Sequence, residues 1–239
     1  MSRDPATAAA PATALQVTRA VATEISAALE ALVAMATADR TEPSRERATV
    51  RAGAAAIDPT DEARLHPVEA EIIATAVGKR RREFASGRAL LRSLLDTDQP
   101  VTVLASRAPL LPAGVVASLA HDDDIVIAAT SRDPSVRSLG VDIEPIGAVD
   151  GEVADVVRRP EERQLDPTFV FVAKEAVYKA WSSSGGRFLN HHDVRVTDTG
   201  GGGFTAVVIG QQRSFIGRSA CVGGRIIAIV VDLRDDVAR

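Results

Sequence analysis

Apolar residues recur about every 3.6 positions in three parts of the chain. Residues 14–38 show this spacing, and the pattern predicts an amphipathic helix there. Residues 69–95 predict one or two helices, and residues 168–181 predict another. Residues 39–48 carry mostly charged side chains, one proline and no apolar stripe, so they predict a loop.

Short apolar runs between these helices predict strands. They cover residues 49–57, 101–104, 114–119, 125–129, 139–143, 193–197, 204–209, 214–220 and 225–231. Polar or glycine-rich turns separate two pairs of them, so we expect hairpins at 114–129 and 193–209. Helices mixed with antiparallel strands predict an α+β fold.

A helix followed by strands occurs twice, over residues 69–143 and 168–231, so the pattern predicts two similar α+β halves. We assign residues 1–48 to an N-terminal tail and amphipathic helix, 49–145 to the first half and 146–239 to the second. The sequence leaves open whether the N-terminal helix docks on the body or mediates association.

Composition excludes several classes of protein. The 239 residues carry 28 Lys and Arg against 32 Asp and Glu. This net charge of −4 argues against electrostatic binding of nucleic acid by the protein as a whole. The single cysteine, Cys221, excludes an internal disulfide framework and a Cys-rich zinc site. The sequence shows no continuous apolar run of about 18 residues and no signal peptide. We therefore expect a cytoplasmic protein that does not span a membrane.

The first candidate for chemistry is a basic helix. Residues 79–92 hold six cations and one anion, and helical spacing places Arg81, Arg88 and Arg92 near one face. Guanidinium groups suit phosphate oxygens. A solvated basic face is the plainer alternative. A nucleic-acid site is less favoured, because no aromatic platform is interleaved with these cations.

The second candidate is the segment 140–145, GVDIEP. Strand alternation places Asp142 and Glu144 on one face. Neighbouring carboxylates repel each other unless a cation neutralises them, and Mg²⁺ combines few carboxylates with water and phosphate oxygens. An edge pair pointing into water remains the alternative.

Two weaker candidates follow. Glu175 and Lys179 form an i,i+4 pair, which in isolation indicates helix stabilisation. His121 follows an apolar strand, and such a lone histidine is more often structural than functional. The cluster 191–193, HHD, lacks helical metal-ligand spacing.

Taken in order, these segments resemble a known family. RRREFASGRALLRSLL, RAPLLPAGVVASLAHDDD, LGVDIEP, FVAKEAVYKAW and GRFL together are similar to the 4′-phosphopantetheinyl transferase superfamily. The similarity is to its bacterial siderophore- and polyketide-associated branch, the EntD/Sfp-like type, and covers about residues 50–232.

The resemblance implies a function. Such enzymes transfer the 4′-phosphopantetheine arm of coenzyme A to a serine of an apo acyl or peptidyl carrier protein, require Mg²⁺ and release adenosine 3′,5′-bisphosphate. It also implies a fold of two similar halves related by a pseudo-twofold, with coenzyme A in the cleft between them, and it suggests a monomer.

The resemblance also assigns residues. The magnesium ligands would be Asp142, Glu144 and Glu175, with Glu175 as the base for the serine proton, directly or through water. Lys174 and Lys179 match the lysines of the family's K-E-x-x-x-K block, and one of them would neutralise the pyrophosphate and the departing group. The remaining coenzyme A contacts would come from Arg80 and Arg88, from Arg81 and Arg92 as weaker candidates, from His121 and from Arg107.

The chain departs from the family pattern around His121. Asp122, Asp123 and Asp124 add negative charge beside the expected phosphate site. The alternative function is therefore a catalytically weakened module that binds coenzyme A or a carrier protein. The segment 157–163 and the region around Arg187 and Phe188 are candidate carrier-protein contacts, with an ordinary surface loop as the alternative.

Overall fold

The structure is a computed structural model that describes residues 13–38, 48–104, 108–211 and 213–234. Five α-helices lie in these ranges: α1 (Ala14–Ala38), α2 (Pro67–Ile72), α3 (Gly78–Leu95), α4 (Gly151–Val157) and α5 (Pro167–Ser183). The strands are β1 (Arg51–Ala56), β2 (Val116–His121), β3 (Ile125–Ser131), β4 (Val136–Pro145), β5 (Val194–Gly200), β6 (Gly203–Val208), β7 (Arg213–Val222) and β8 (Arg225–Leu233).

The first sheet has three antiparallel strands in the order β1-β3-β2. The predicted hairpin at its centre is confirmed, since β2 pairs with β3 from Val116 opposite Ser131 to His121 opposite Val126. The hairpin therefore ends its first strand on His121.

The second sheet has five antiparallel strands in the order β4-β8-β7-β6-β5. Its β5–β6 hairpin turns through glycines, as the sequence predicts. Strand β4 falls within the first sequence-defined half, yet it pairs with β8, with Asp142 opposite Ala228 and Glu144 opposite Ile226. The strand that carries both acidic residues is therefore an edge of the second sheet.

One long helix packs on each sheet. α3 buries Leu90 and Leu91 against Val126 and Ala128 of the first sheet. α5 buries small apolar residues, such as Ala176, against the second sheet. The α+β fold with a repeated helix-on-sheet pattern is thus confirmed.

The N-terminal helix docks on the body. α1 buries Ile25 and Leu29 in a core shared with strands of both sheets. Ser26 Oγ accepts a hydrogen bond from Ala54 N at 2.8 Å and donates one to Ala54 O at 3.2 Å, so the helix also satisfies backbone groups of β1. The question that the sequence left open is settled for residues 14–38.

An 18-residue window of α1 has a mean hydropathy of 1.4, enough by length and composition to cross a membrane. Charged residues such as Arg19 and Glu24 interrupt α1, so no continuous apolar run predicted a membrane span there. A helix that packs in a protein core passes the same test, and α1 packs on both sheets.

Two local expectations need correction. Residues 101–104 were expected to form a strand, but they contribute only an isolated bridge between Val103 and Pro109. The helix α4 was not predicted, because its seven residues are too few to show a helical period.

Candidate active site

A glycine brings α5 against β4. A Cβ atom on Gly140 would lie 1.8 Å from the carbonyl oxygen of Ala176, far inside van der Waals contact. Only glycine therefore permits this approach of helix backbone to strand backbone. The contact places Lys179 and Glu175 of α5 beside Asp142 of β4.

Lys179 and Asp142 form the central contact of the site. Lys179 Nζ lies 2.6 Å from Asp142 Oδ1 and donates to Val141 O at 3.0 Å. The second carboxylate oxygen of Asp142, Oδ2, is buried and has no hydrogen-bond partner. A buried acceptor without a partner is costly, so this atom is available to a ligand that supplies positive charge.

Three carboxyl groups at this place have raised pKa values. Burial raises the pKa of Asp142, with Lys179 opposing and the charge of Glu175 adding to the increase. Burial and the charges of Asp142 and Asp122 raise the pKa of Glu144 to about 7. Burial also raises the pKa of Glu175 against the effect of Lys179. Asp142 therefore interacts with both of the other carboxylates.

The donor set suits a hard cation, because Mg²⁺ prefers carboxylate oxygens and keeps open positions for water and phosphate. The buried, unpartnered Oδ2 of Asp142 fits this role. Within the described part of the chain, however, no three His, Cys, Asp or Glu residues are already gathered as metal ligands. The assignment of magnesium to Asp142, Glu144 and Glu175 accordingly stays a prediction.

A cavity of about 760 Å³ opens beside Glu175. Its wall includes Tyr178, Val156, Phe188 and His191. Glu175 Oε1 lies 3.9 Å from His191 Nδ1, and burial lowers the pKa of His191. Phe188 is 72% exposed at the rim of the cavity and packs edge-on against Tyr178 at 5.9 Å.

The basic helix α3 meets the first hairpin at a second cluster. Arg80, in the first turn of α3, has Nη1 3.1 Å from His121 Nε2. Both side chains face Glu83, at 3.4 Å from Arg80 Nη1 and 3.6 Å from His121 Nε2. The first turn of a helix also favours anions through its free N–H groups and dipole. The two residues predicted to contact coenzyme A phosphates from α3 and β2 are therefore brought together.

The acidic turn beside His121 is compensated by cations. Asp122 pairs with Arg225 Nε, and Asp124 Oδ2 lies 3.5 Å from Arg225 Nη2. Asp123 Oδ1 lies 2.5 Å from Lys79 Nζ, and this contact lowers the pKa of Asp123. Two cations, Arg225 and Lys79, thus offset part of the negative charge of these three carboxylates.

The other arginines of the basic helix lie apart from this cluster. Arg88 is 3% exposed, donates from Nε to Val101 O at 2.6 Å and stacks on Phe84, and burial lowers its pKa to about 10. Arg92 binds both carboxylate oxygens of Glu69, at 2.8 and 2.7 Å. These placements favour structural roles for Arg88 and Arg92.

Arg81 is also engaged by other residues. Its Nε lies 3.1 Å from Glu62 Oε2, and its Nη1 donates to Ala76 O at 3.0 Å. Arg107 lies outside the described residues.

Lys174 is placed differently from Lys179. Its Nζ donates to Val157 O at 2.9 Å, to His191 O at 2.9 Å and to Glu162 Oε2 at 2.6 Å. All three donors are used, and both charged side chains are 1% exposed. This placement favours a structural role over the predicted contact with coenzyme A.

Sequence reasoning missed two residues of the site. Glu83 faces Arg80 and His121, and its spacing of i+3 from Arg80 was a usable signal. Arg225 comes from the far end of the chain, and no local pattern pointed to it.

Comparison with known proteins identifies the class. A model of the 4′-phosphopantetheinyl transferase N-terminal domain matches residues 68–131, and a model of the 4′-phosphopantetheinyl transferase superfamily matches residues 138–230. The chain belongs to the 4′-phosphopantetheinyl transferase superfamily, which confirms the family predicted from the sequence.

Individual relatives agree with this assignment. The 4′-phosphopantetheinyl transferase Npt of Nocardia iowensis is 32% identical over 200 residues, 71% of this chain and 90% of its own length. Svp of Streptomyces mobaraensis is 34% identical over 70% of this chain and 78% of its own length. PptT of Mycobacterium tuberculosis is 35% identical over 55% of this chain and 64% of its own length. Both carry the same enzyme name. The chain is accordingly an enzyme of the phosphopantetheinyl transferase type.

Proposed function

We propose that this enzyme transfers the 4′-phosphopantetheine group of coenzyme A to a serine of an apo acyl or peptidyl carrier protein in a Mg²⁺-dependent reaction. The observation that carries the proposal is the state of Asp142. One of its oxygens binds Lys179, and the other is buried without a partner beside Glu144 and Glu175. A metal cation would give the buried Oδ2 the partner that it lacks.

Asp142, Glu144 and Glu175 would hold the magnesium ion. When bound, the metal supplies positive charge to the pyrophosphate oxygens of coenzyme A. Lys179, already fixed against Asp142, adds a second positive charge at the same place. Phosphoryl-group transfer depends mainly on such positioning and charge compensation.

Arg80 and His121 would bind phosphate on the opposite wall of the cleft. Arg80 is 48% exposed and His121 is 27% exposed, so both are accessible to solvent. Glu83 contacts both side chains from the side of α3. Coenzyme A would then lie between a phosphate-binding wall on the first sheet and an acidic wall on the second.

The transfer breaks one bond and forms another. The serine oxygen of the carrier protein attacks the phosphorus that carries the pantetheine arm, and the bond from that phosphorus to the bridging oxygen breaks. The bridging oxygen leaves with its electron pair as adenosine 3′,5′-bisphosphate, next to Lys179. Glu175 would accept the serine proton, directly or through a water molecule.

The cavity beside Glu175 is the proposed approach for the carrier protein. Val156 is 64% exposed on α4 at its rim, together with Phe188. Exposed apolar side chains beside a reactive group are typical of a docking surface. The region around Phe188 predicted from the sequence lies at this cavity.

The test is mass spectrometry of apo carrier proteins incubated with the enzyme, coenzyme A and Mg²⁺. The proposal expects one added phosphopantetheine group, lost on chelation and restored by Mg²⁺. Asp142→Ala and Glu175→Gln should nearly abolish the addition, whereas Glu71→Gln, an exposed carboxylate on α2, should retain it. Binding of coenzyme A without modification of any fatty-acid, polyketide or nonribosomal-peptide carrier would instead support the weakened module.

We further propose that the protein acts as a cytoplasmic monomer. Light scattering coupled to size-exclusion chromatography tests the oligomeric state, since a monomer should have a mass near 25.1 kDa. A mass near twice that value would contradict it.

A further inference from the structure

The two proposed walls of the cleft belong to different sheets, and ion pairs of Arg225 with Asp122 and Asp124 join them at the site. Asp122 follows directly after His121 in the turn of the first hairpin, and Arg225 is the first residue of β8 in the second sheet. Arg225 Nε donates to Asp122 Oδ2. The Asp122 side chain is 2% exposed and that of Arg225 is 15% exposed, so the pair is shielded from solvent.

Each partner is fixed on its own sheet. Asp122 Oδ1 accepts from Asp124 N at 2.8 Å and from Ile125 N at 2.7 Å, which closes the hairpin turn. Arg225 Nη1 donates to Gly223 O at 2.9 Å, which fixes the guanidinium against the β7–β8 turn. If the sheets moved apart, neither side chain could move with its partner without losing the hydrogen bonds on its own sheet. The pair therefore fixes the position of one sheet relative to the other.

Both ends of the pair reach proposed site residues. On the first sheet, His121 is covalently adjacent to Asp122 and contacts Arg80. On the second sheet, Arg225 pairs with Pro145, and the next residue of β8 pairs with Glu144. The phosphate-binding wall and the acidic wall are therefore joined through a short, rigid path.

We propose that Asp122 and Arg225 are positioning residues that set the spacing between the phosphate-binding wall and the acidic wall of the cleft. This inference rests on the proposed function, because it concerns the cofactor with several phosphates that would bridge the walls. A second link between β2 and β4, the bond from Val141 N to Ser118 Oγ at 3.0 Å, lies further along the strands and does not hold the turn.

The test compares two variants of the pair with a matched control. Asp122→Asn keeps an oxygen for the turn but presents an amide donor to Arg225 Nε, and Arg225→Met removes the guanidinium. Arg225→Lys retains a positive charge and should restore part of the loss. The control is Arg213→Met, which breaks an ion pair with Asp232 at the opposite end of β8.

Asp122→Asn and Arg225→Met should each lower kcat/KM for coenzyme A by roughly ten- to a hundredfold, mostly through KM, because misplacement by about 1 Å has effects of this size. Arg213→Met should leave KM for coenzyme A within about twofold of the wild-type value, because substitutions at distant sites with no shared partners have independent effects. Calorimetric titration of coenzyme A without metal should show the same order of affinities.

The double variant distinguishes positioning from general stability. If the residues act as one unit, Asp122→Asn combined with Arg225→Met should lose little more than either alone. An unchanged KM for coenzyme A with a lowered Tm would overturn the inference. Equal losses in Arg213→Met would overturn it as well. A wild-type protein that neither binds nor uses coenzyme A would instead refute the proposed function.

Discussion

Replacement of Gly140 by alanine tests how the site is assembled. The added methyl group would lie 1.8 Å from Ala176 O, 2.8 Å from Ala176 C and 3.0 Å from Ala180 N. All three atoms belong to the backbone of α5, so no side chain can rotate away. Normal contact needs about 3.5 Å, and the helix must therefore move from β4 by roughly 1.5 Å.

That displacement acts directly on the Lys179 contact. The bond from Lys179 Nζ to Asp142 Oδ1 is 2.6 Å long and would lengthen beyond hydrogen-bond distance. We expect activity to fall by about a hundredfold, as for other misplacements of this size. Overpacking should also cost about 1–3 kcal/mol, which lowers Tm by about 2–4 °C per kcal/mol in a chain of this length.

The assay is carrier-protein modification by mass spectrometry, with Tm measured in parallel. Gly53→Ala in β1 is the matched control, because its Cβ would meet Leu94 at 3.6 Å, which is ordinary contact. The control should keep full activity and Tm. If Gly140→Ala modifies carrier protein at the wild-type rate with an unchanged Tm, the close approach of α5 does not position the site.

Three further predictions concern charged residues of α5 and β4. Lys179→Met should lower kcat/KM about a hundredfold, since it removes a positive charge at the reacting phosphate; activity within tenfold of wild type would contradict this role. Lys174→Met should instead cost about 3–5 kcal/mol of stability, because it leaves Glu162 charged and buried; an unchanged denaturation midpoint would show that the pair is not structural. In the metal-free protein, burial and neighbouring carboxylates raise the pKa of Glu144 from its ordinary value of 4.5 to about 7. The stability that the Glu144 carboxyl group contributes is therefore complete below about pH 4.5 and is lost as pH rises through 7. Glu144→Gln should accordingly flatten the fall of Tm across this window, and coincident curves for variant and wild type would refute the assignment.

Local patterns predicted the elements that carry the site. The hairpin ending on His121, the strand with Asp142 and Glu144 on one face and the helix with Glu175 and Lys179 were all expected from residue spacing. Such spacing reports which residues share a face of one element. It does not report which other element covers that face.

The same limit applies to contacts between elements. Lys179 has a helical neighbour at i−4, Glu175, but its closest partner is Asp142 on another element. Arg88 and Lys174 are spaced like surface cations, yet partners distant in sequence bury them. Long cationic side chains are buried only when such partners exist, and a single sequence does not show them.

The pairing of β4 with β8 explains why the site needs both ends of the chain. Asp142 and Glu144 follow the first hairpin in sequence, but their strand is an edge of the second sheet. The acidic wall is thereby fixed to α5 through Gly140, and the phosphate-binding wall is fixed to α3 through Arg80. The spacing between the two walls then depends on contacts that join the sheets, among them the core that α1 shares with both. The contact of Asp122 with Arg225 is another of these, and on our proposal its loss should lower the affinity for the cofactor.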